Sequence, residues 1–338
     1  MQYSQNNSLM KINRIAALLL VALVVLFWLD LASGPAQVQL LSALGDLWKG
    51  DASIPAIILS EVRFPRALLA AMVGASLAIS GAALQGLLRN PLASPDILGI
   101  SQTAALFAVL VLYYGLSQYG WFILPLAALA GGVLAVVLML AIARRIAGTH
   151  TIILAGIAIS ALTGSLTALA LNFAPNPYAL QEIYYWMLGS VANRSMNEVW
   201  LALPFMLAGW ALLLYSRNFL DALSLGEDTA QSLGFALGRY SWLVILGVAC
   251  CTGAAVAVSG SIGFIGLVVP HVLRGVVKAQ PGRLLLISLP GGAALLLVAD
   301  VLVQWLPSAI ELQLGVITAA IGGPFFLYLL LKKRHLFL

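Results

Sequence analysis

The chain is short of charge. Of its 338 residues only 9% are Asp, Glu, Lys or Arg, while 62% are hydrophobic. A soluble domain carries about 25% charged residues, so a water-soluble globule is excluded in favour of a polytopic membrane protein. Cysteine is almost absent: Cys250 and Cys251 are the only two, adjacent and inside an apolar run. Neighbouring cysteines rarely reach disulfide geometry, and no CxxC or Cys/His metal spacing exists. Both cysteines read as small residues of a membrane helix, and no metal site is expected. A GxxxxGK[ST] loop is also missing, so this chain is not expected to hold a nucleotide. The net charge of +5 does not mark a nucleic-acid binder, because the basic residues stand singly at the ends of apolar runs.

What is present is organised around Arg63–Ser101. Arg63-Phe64-Pro65-Arg66 opens the stretch, Ala67–Leu88 carries no acid or base, and Arg89-Asn90-Pro91 closes it. About 20 apolar residues are what a helix needs to cross a bilayer. Arginine at a helix centre costs about 2.5–3.5 kcal/mol to insert, so the three arginines mark the ends. Gly74, Ala78, Ala82 and Gly86 form a stripe of small residues that lets another helix approach closely.

Ten such segments are expected, near 13–32, 63–86, 93–114, 121–143, 150–172, 198–216, 239–258, 264–279, 284–305 and 314–332. The fold class is therefore an all-α polytopic membrane protein, with residues 1–12 as a polar, poorly ordered cytoplasmic tail and 13–338 as one transmembrane domain. Lys11 and Arg14 before Ile15–Leu29 look like a secretory signal with Ala32-Ser33-Gly34 as cleavage site, but a retained first helix is expected. Residues 33–62 lie on the periplasmic side and are long enough for a short amphipathic helix along the membrane surface. With ten crossings and both termini inside, thirteen of the seventeen basic residues fall on the cytoplasmic side. Lys49, Arg63, Arg66 and Arg194 fall outside, against the positive-inside rule.

Gly74–Ala82 (GASLAISGA) matches Gly253–Ser261 (GAAVAVSGS), and Pro91 and Pro270 each follow seventeen residues after the first glycine. The copies fall on segments two and seven, which face opposite ways, and inverted repeats of this kind are characteristic of transporters. Asn90-Pro91 with Pro95, and Gly263–Pro270, read as helix breaks, which membranes tolerate only where protein covers them or a cavity is lined. The cytoplasmic loop 217–239 carries Asp221, Glu227 and Asp228, the one acidic cluster on a basic face. Glu227 and Asp228 suit the first turn of a short helix and Gly234 its end, a shape that fits a soluble partner. It reads otherwise as a solvated connection.

Isolated polar residues carry weaker signals. His271 after Pro270 could relay protons or simply bond a backbone group. Asp300 and Glu311 lie near the outer interface, where Asp300 reads as a structural hydrogen-bonder. Asn172 and Tyr184-Tyr185-Trp186 line either a pathway mouth or an aromatic belt.

Taken together, Arg63–Arg66, Gly74–Gly81, Gln85, Asn90–Pro95, Ile97–Gly99, Leu225–Gly234, Gly260–His271 with Arg274, Ala299-Asp300 and Gly315–Phe326 resemble one family. It is the permease subunits of ATP-binding-cassette importers for iron–siderophores, haem and cobalamin. The resemblance implies ten helices, pairing with a second copy or a paralogue, two cytoplasmic ATPase subunits that use ATP and magnesium, and a periplasmic or lipoprotein substrate-binding protein. It places the chain in the bacterial inner (cytoplasmic) membrane. It implies that Arg63 and Arg66 dock the binding protein, and that Leu225, Gly226, Glu227, Asp228, Ala230, Leu233 and Gly234 couple to the ATPase. Gln85, Asn90, Pro91, Asn172, Trp186, Pro270 and His271 fall at helix breaks or on the pathway. Gln304 stands where the family commonly has a further arginine. Ser94 suits a ferric siderophore permease better than a cobalamin one. An ion-driven secondary transporter would instead need buried acids at mid-membrane, and a proton-pumping subunit a chain of intramembrane Lys, Glu or His.

Overall fold

The computed structural model describes residues 2–34, 36, 38–145, 149–277, 279–306 and 312–332. Glu311 lies outside the described residues. Every regular element among them is helical: α1 (Gln2–Ala32), α2 (Leu40–Lys49), α3 (Ile54–Ile57), α4 (Phe64–Leu87), α5 (Ile100–Tyr113), α6 (Ile123–Arg145), α7 (Thr149–Asn172) and α8 (Pro177–Met187) come first. Then follow α9 (Met196–Tyr215), α10 (Arg217–Leu223), α11 (Glu227–Ser232), α12 (Leu237–Ser259), α13 (Ile265–Arg274), α14 (Pro281–Trp305) and α15 (Leu314–Lys332).

Ten of these correspond one to one with the expected segments, but not all are long enough to cross. Among the described residues seven helical stretches have the length and apolarity of a span, and α5, α13 and the apolar part of α15 are shorter. The ten residues of α13 rise about 15 Å, half of a ~30 Å hydrocarbon core. The eighth segment, expected over 264–279, is therefore a half-length helix. Residues 2–12, expected as a loose tail, continue the turns of α1.

The second segment also starts earlier than Arg63. α3, a wide i→i+5 turn over Ile58–Arg63, and α4 run on as one helical stretch from Ile54 to Leu87. Ser53 opens it by accepting the Ala56 N–H. At the far end Arg89 adopts φ +49°, and the Asn90 side chain accepts the Leu92 N–H at 2.9 Å. Pro91 then lacks the N–H a further turn would need, so the break after α4 lies where expected. α9 starts with a capping box in which Ser195 and Glu198 bond each other's backbone.

α4 is the centre of the bundle. Its span is 89% buried, whereas that of α1 is 11% buried and faces outward. The small-residue stripe explains how. A Cβ on Gly74 would collide with the Gly292 carbonyl of α14, and one on Gly292 with the Gly74 carbonyl, so the two backbones touch. Gly81 abuts the Gly266 carbonyl of α13 in the same way. Pro270, four residues on, has no N–H to offer that carbonyl, so it sits inside α13 rather than breaking it. The break lies at Gly260–Phe264, where Phe264 takes φ +67°. Cys251 is buried where α12 meets Gly209 of α9, as a small packing residue.

The repeat does not extend to backbone conformation. Ser80-Gly81 lies inside α4, whereas Ser259 ends α12 and Gly260 takes φ +69°.

Candidate functional site

The loop between α9 and α12 folds into two short helices. α11 is closed by a Schellman motif: Gly234 at φ +88° gives its N–H to Gln231, and Phe235 gives its own to Ala230. Glu227 and Asp228 occupy the first turn, and Gly226, at φ +120°, precedes them. Ala230 is buried, while Leu225 and Leu233 at either end are 71% and 61% exposed. Two exposed leucines flanking a six-residue helix are an apolar pair that none of the described residues covers. Beneath, Phe219 of α10 is fully buried and stacks on Tyr240 of α12, ring centroids 5.2 Å apart.

The acidic cluster is less free than the sequence suggests. Glu227 pairs with Arg89 at 3.2 Å, both side chains about half exposed. Asp221 turns away from solvent: Oδ1 accepts the Gly282 N–H at 2.7 Å and Oδ2 the Gln280 amide at 3.0 Å, both at the start of α14.

At the opposite end the two arginines are engaged within the chain. Arg63 is 6% exposed and donates to the carbonyls of Leu31 and Ala36. Arg66 forks onto Asp300 with Nε–Oδ2 at 2.8 Å and Nη2–Oδ1 at 2.9 Å. The Gln304 amide bridges Asp30 at 2.6 Å and Asp300 at 2.9 Å, and Trp305 bonds Ser33 at 3.1 Å. Arg63, expected as a docking charge, keeps its head group buried on the Leu31 and Ala36 carbonyls. Sequence distance hid the partner of Arg66: it and Asp300 are 234 residues apart. The positive-inside violation was the one available signal, since charges on the wrong side need partners.

Near the same end, α8, the following turn and Gln313 enclose a pocket of about 410 Å³. Gln181, Tyr185, Trp186, Ser190, Asn193 and Arg194 line it. Trp186, expected beside Asn172 at the end of one helix, sits on the separate α8, and Asn172 ends α7 exposed. Arg194 Nε and Trp186 Nε1 are buried donors with no hydrogen-bond acceptor among the described residues. Burial pushes the Arg194 guanidinium below its ordinary value, and nearby Glu198 acts against that shift. Next to the lining residues the packing is backbone on backbone: a Cβ on Gly189, Gly260 or Gly315 would strike a carbonyl. In the sequence Arg194 stands out only as a basic residue on the outer side. A basic residue among aromatic and amide side chains was the missed signal.

The remaining sequence candidates lie deeper. Gln85 is buried in α4 and accepts from Arg274 at 2.9 Å. His271 is half-buried with its ring edge-on to Phe325, and Pro270 is buried beside it. Asn90 is exposed and Pro91 half-buried in the turn after α4. The structure does not gather these five into one cavity. Among the described residues no cluster of three or more His, Cys, Asp or Glu could hold a metal ion.

Comparison with known proteins decides the family. The model of the FecCD transport family matches residues 22–332. The chain belongs to the FecCD transport family. It is 36% identical over 322 residues to the Fe(3+)-citrate import system permease protein YfmD of Bacillus subtilis, covering 94% of this chain and 95% of that one. It is 37% identical over 299 residues to the vitamin B12 import system permease protein BtuC of Vibrio cholerae, covering 86% and 89%. A metal-chelate type ABC transporter, solved in an inward-facing conformation, superposes with a TM-score of 0.84 at 29% identity, over 95% of this chain and 99% of that chain. As a FecCD member the chain is a multi-pass membrane protein, the permease subunit of an ABC importer. ATP hydrolysis is carried by separate subunits, and the family works with ATPase and substrate-binding partners.

Proposed function

We propose that this permease admits ferric iron, carried as an anionic siderophore or citrate chelate, across the bacterial inner membrane into the cytoplasm. The observation that supports an anionic cargo is the outer pocket. Its buried Arg194 and Trp186 donors and its flanking amides suit an oxygen-rich anion, since charge-assisted bonds to oxygen are the strong ones. The relatives point both to iron chelates and to vitamin B12, so cargo chemistry rests on this pocket. Haem and cobalamin are the second choices.

In this reading both termini are cytoplasmic, and two permeases, copies or paralogues, enclose the pathway. An ATPase dimer, using ATP and magnesium, seats on Leu225, Gly226, Glu227, Asp228, Ala230, Leu233 and Gly234. A substrate-binding protein docks outside, and Arg66, 13% exposed, is the nearer of the two arginines to serve it. The deciding experiment is uptake of radiolabelled ferric citrate, a ferric hydroxamate and cobalamin by a strain lacking this gene and by the complemented strain. Restored uptake of an iron chelate alone is expected. Restoration of cobalamin alone overturns the iron reading. Uptake that persists without the ATPase subunit but stops with a protonophore would favour an ion-driven carrier.

A further inference from the structure

α14 is fastened at both ends. At its start stands Asp221 of α10, whose two oxygens hold the Gly282 N–H and the Gln280 amide. Gly282 is the second residue of α14, so its N–H is one of the four that a helix start leaves without an internal partner. A carboxylate there also faces the positive end of the helix dipole. The joint has no slack: a Cβ on Gly282 would lie 2.6 Å from Asp221 Oδ2 and 3.1 Å from the Arg217 carbonyl. Leu220, one residue before Asp221, is fully buried against Gly86 of α4.

From that joint α14 runs 25 residues, about 37 Å, to the outer side. On the way Gly292 rests on Gly74, and at the far end Asp300 holds Arg66 while Gln304 holds Asp30. α10 in turn leads into α11 by a short turn, held to α10 by the Leu225 and Gly226 N–H bonds to Ala222 and Leu223. Among the described residues this segment also meets the turn after α4 through the half-exposed Glu227–Arg89 pair, of a kind worth about 0–1 kcal/mol. Among the described residues a push on α11 thus has a part-buried polar route into the bundle through Asp221, and it ends at the outer polar cluster.

We propose that Asp221 is the positioning residue that makes α14 move with the ATPase-coupling segment, so that movement at α11 reaches the Arg66–Asp300 end. This rests on reading Leu225–Gly234 as the ATPase seat. The test uses the whole transporter, permease and ATPase subunits together, in lipid nanodiscs. Spin labels are placed at Tyr119→Cys and Leu306→Cys, both exposed at the outer end, with Cys250→Ala to remove the half-buried thiol. Distances are read with and without ATP in otherwise unsubstituted, Asp221→Ala, Asp221→Asn and Gly282→Ala transporters. ATPase co-purification, hydrolysis rate and melting temperature are measured for each.

Expected is an ATP-dependent distance change that Asp221→Ala and Gly282→Ala lose, while the ATPase stays bound and hydrolysis stays within about twofold. Asp221→Asn keeps an acceptor for Gly282 and restores part of the change, which a merely misfolded variant would not. An unaltered distance change in Asp221→Ala overturns the proposal, as does release of the ATPase by that substitution. Deleting Glu227–Leu233 separates the two readings. If the ATPase is still held, the seat itself is wrongly placed; if it is released while Asp221→Ala moves normally, only the role of Asp221 falls.

Discussion

Arg66 and Asp300 form a forked ion pair between α4 and α14, with the Asp300 side chain wholly buried and Arg66 only 13% exposed. Removing one partner of a buried pair leaves an uncompensated charge and costs about 3–5 kcal/mol. Asp300→Ala is therefore expected to lower the melting temperature in detergent by several degrees. Arg66→Ala with Asp300→Ala should cost less than the sum of the single changes, because the pair fails as a unit. Additive losses would show that the pair does not hold α4 to α14.

The two glycines of the sequence repeat differ in what surrounds them. A Cβ on Gly74 meets the Gly292 backbone, whereas one on Gly253 meets nothing within 4 Å. Gly74→Ala is expected to reduce the yield of folded protein sharply, by the 1–3 kcal/mol typical of overpacking or more. Gly253→Ala should be neutral or slightly stabilising. Size-exclusion profiles and melting curves compare the two, and equal effects would contradict the backbone contact.

Leu225 and Leu233 are exposed, so changing them should act on partners and leave the fold alone. Leu233→Asp is expected to leave the melting temperature within about a degree, since surface substitutions usually fall within ±0.5 kcal/mol. Co-purification of the ATPase subunit should fall at least tenfold and transport should stop. Retained ATPase with normal transport would remove Leu233 from the seat.

Arg194→Gln takes the charge from the outer pocket. A hydrogen bond to a charged group is worth about 1.5–3 kcal/mol, so uptake of an anionic ferric chelate at low concentration should fall about tenfold or more. Arg194→Lys should keep part of it, and export of the protein to the membrane should be unchanged. Uptake insensitive to Arg194→Gln would leave the pocket without a role in transit.

Much of the site was legible because its signals are local. The small-residue stripe on α4, the break at Asn90-Pro91 and the Gly234 terminus of α11 each depend on neighbours within one turn of chain. The settings of Arg63, Asp221 and Pro270 are not legible in the sequence for the opposite reason. Their partners, the Ala36 carbonyl, Gly282 and Gly266 under Gly81, are brought up by tertiary packing, and a lone sequence shows a charge or a proline but not who approaches it.

What the sequence by itself determined is the solvent and the element type. A chain with 9% charge and long apolar runs must satisfy its backbone internally in lipid, and without strands that means helices. The family resemblance followed from motifs spread along the same chain. Only the tertiary structure decided that α4 is the axis, that α13 is half-length, and that Arg63 and Arg66 are tied to Leu31, Ala36 and Asp300. The physical reason is that in a bilayer apolar surface has no preference between protein and lipid tails. Which helices touch is then settled by close backbone contact at Gly74, Gly81 and Gly292 and by buried polar pairs, and both depend on residues hundreds of positions apart.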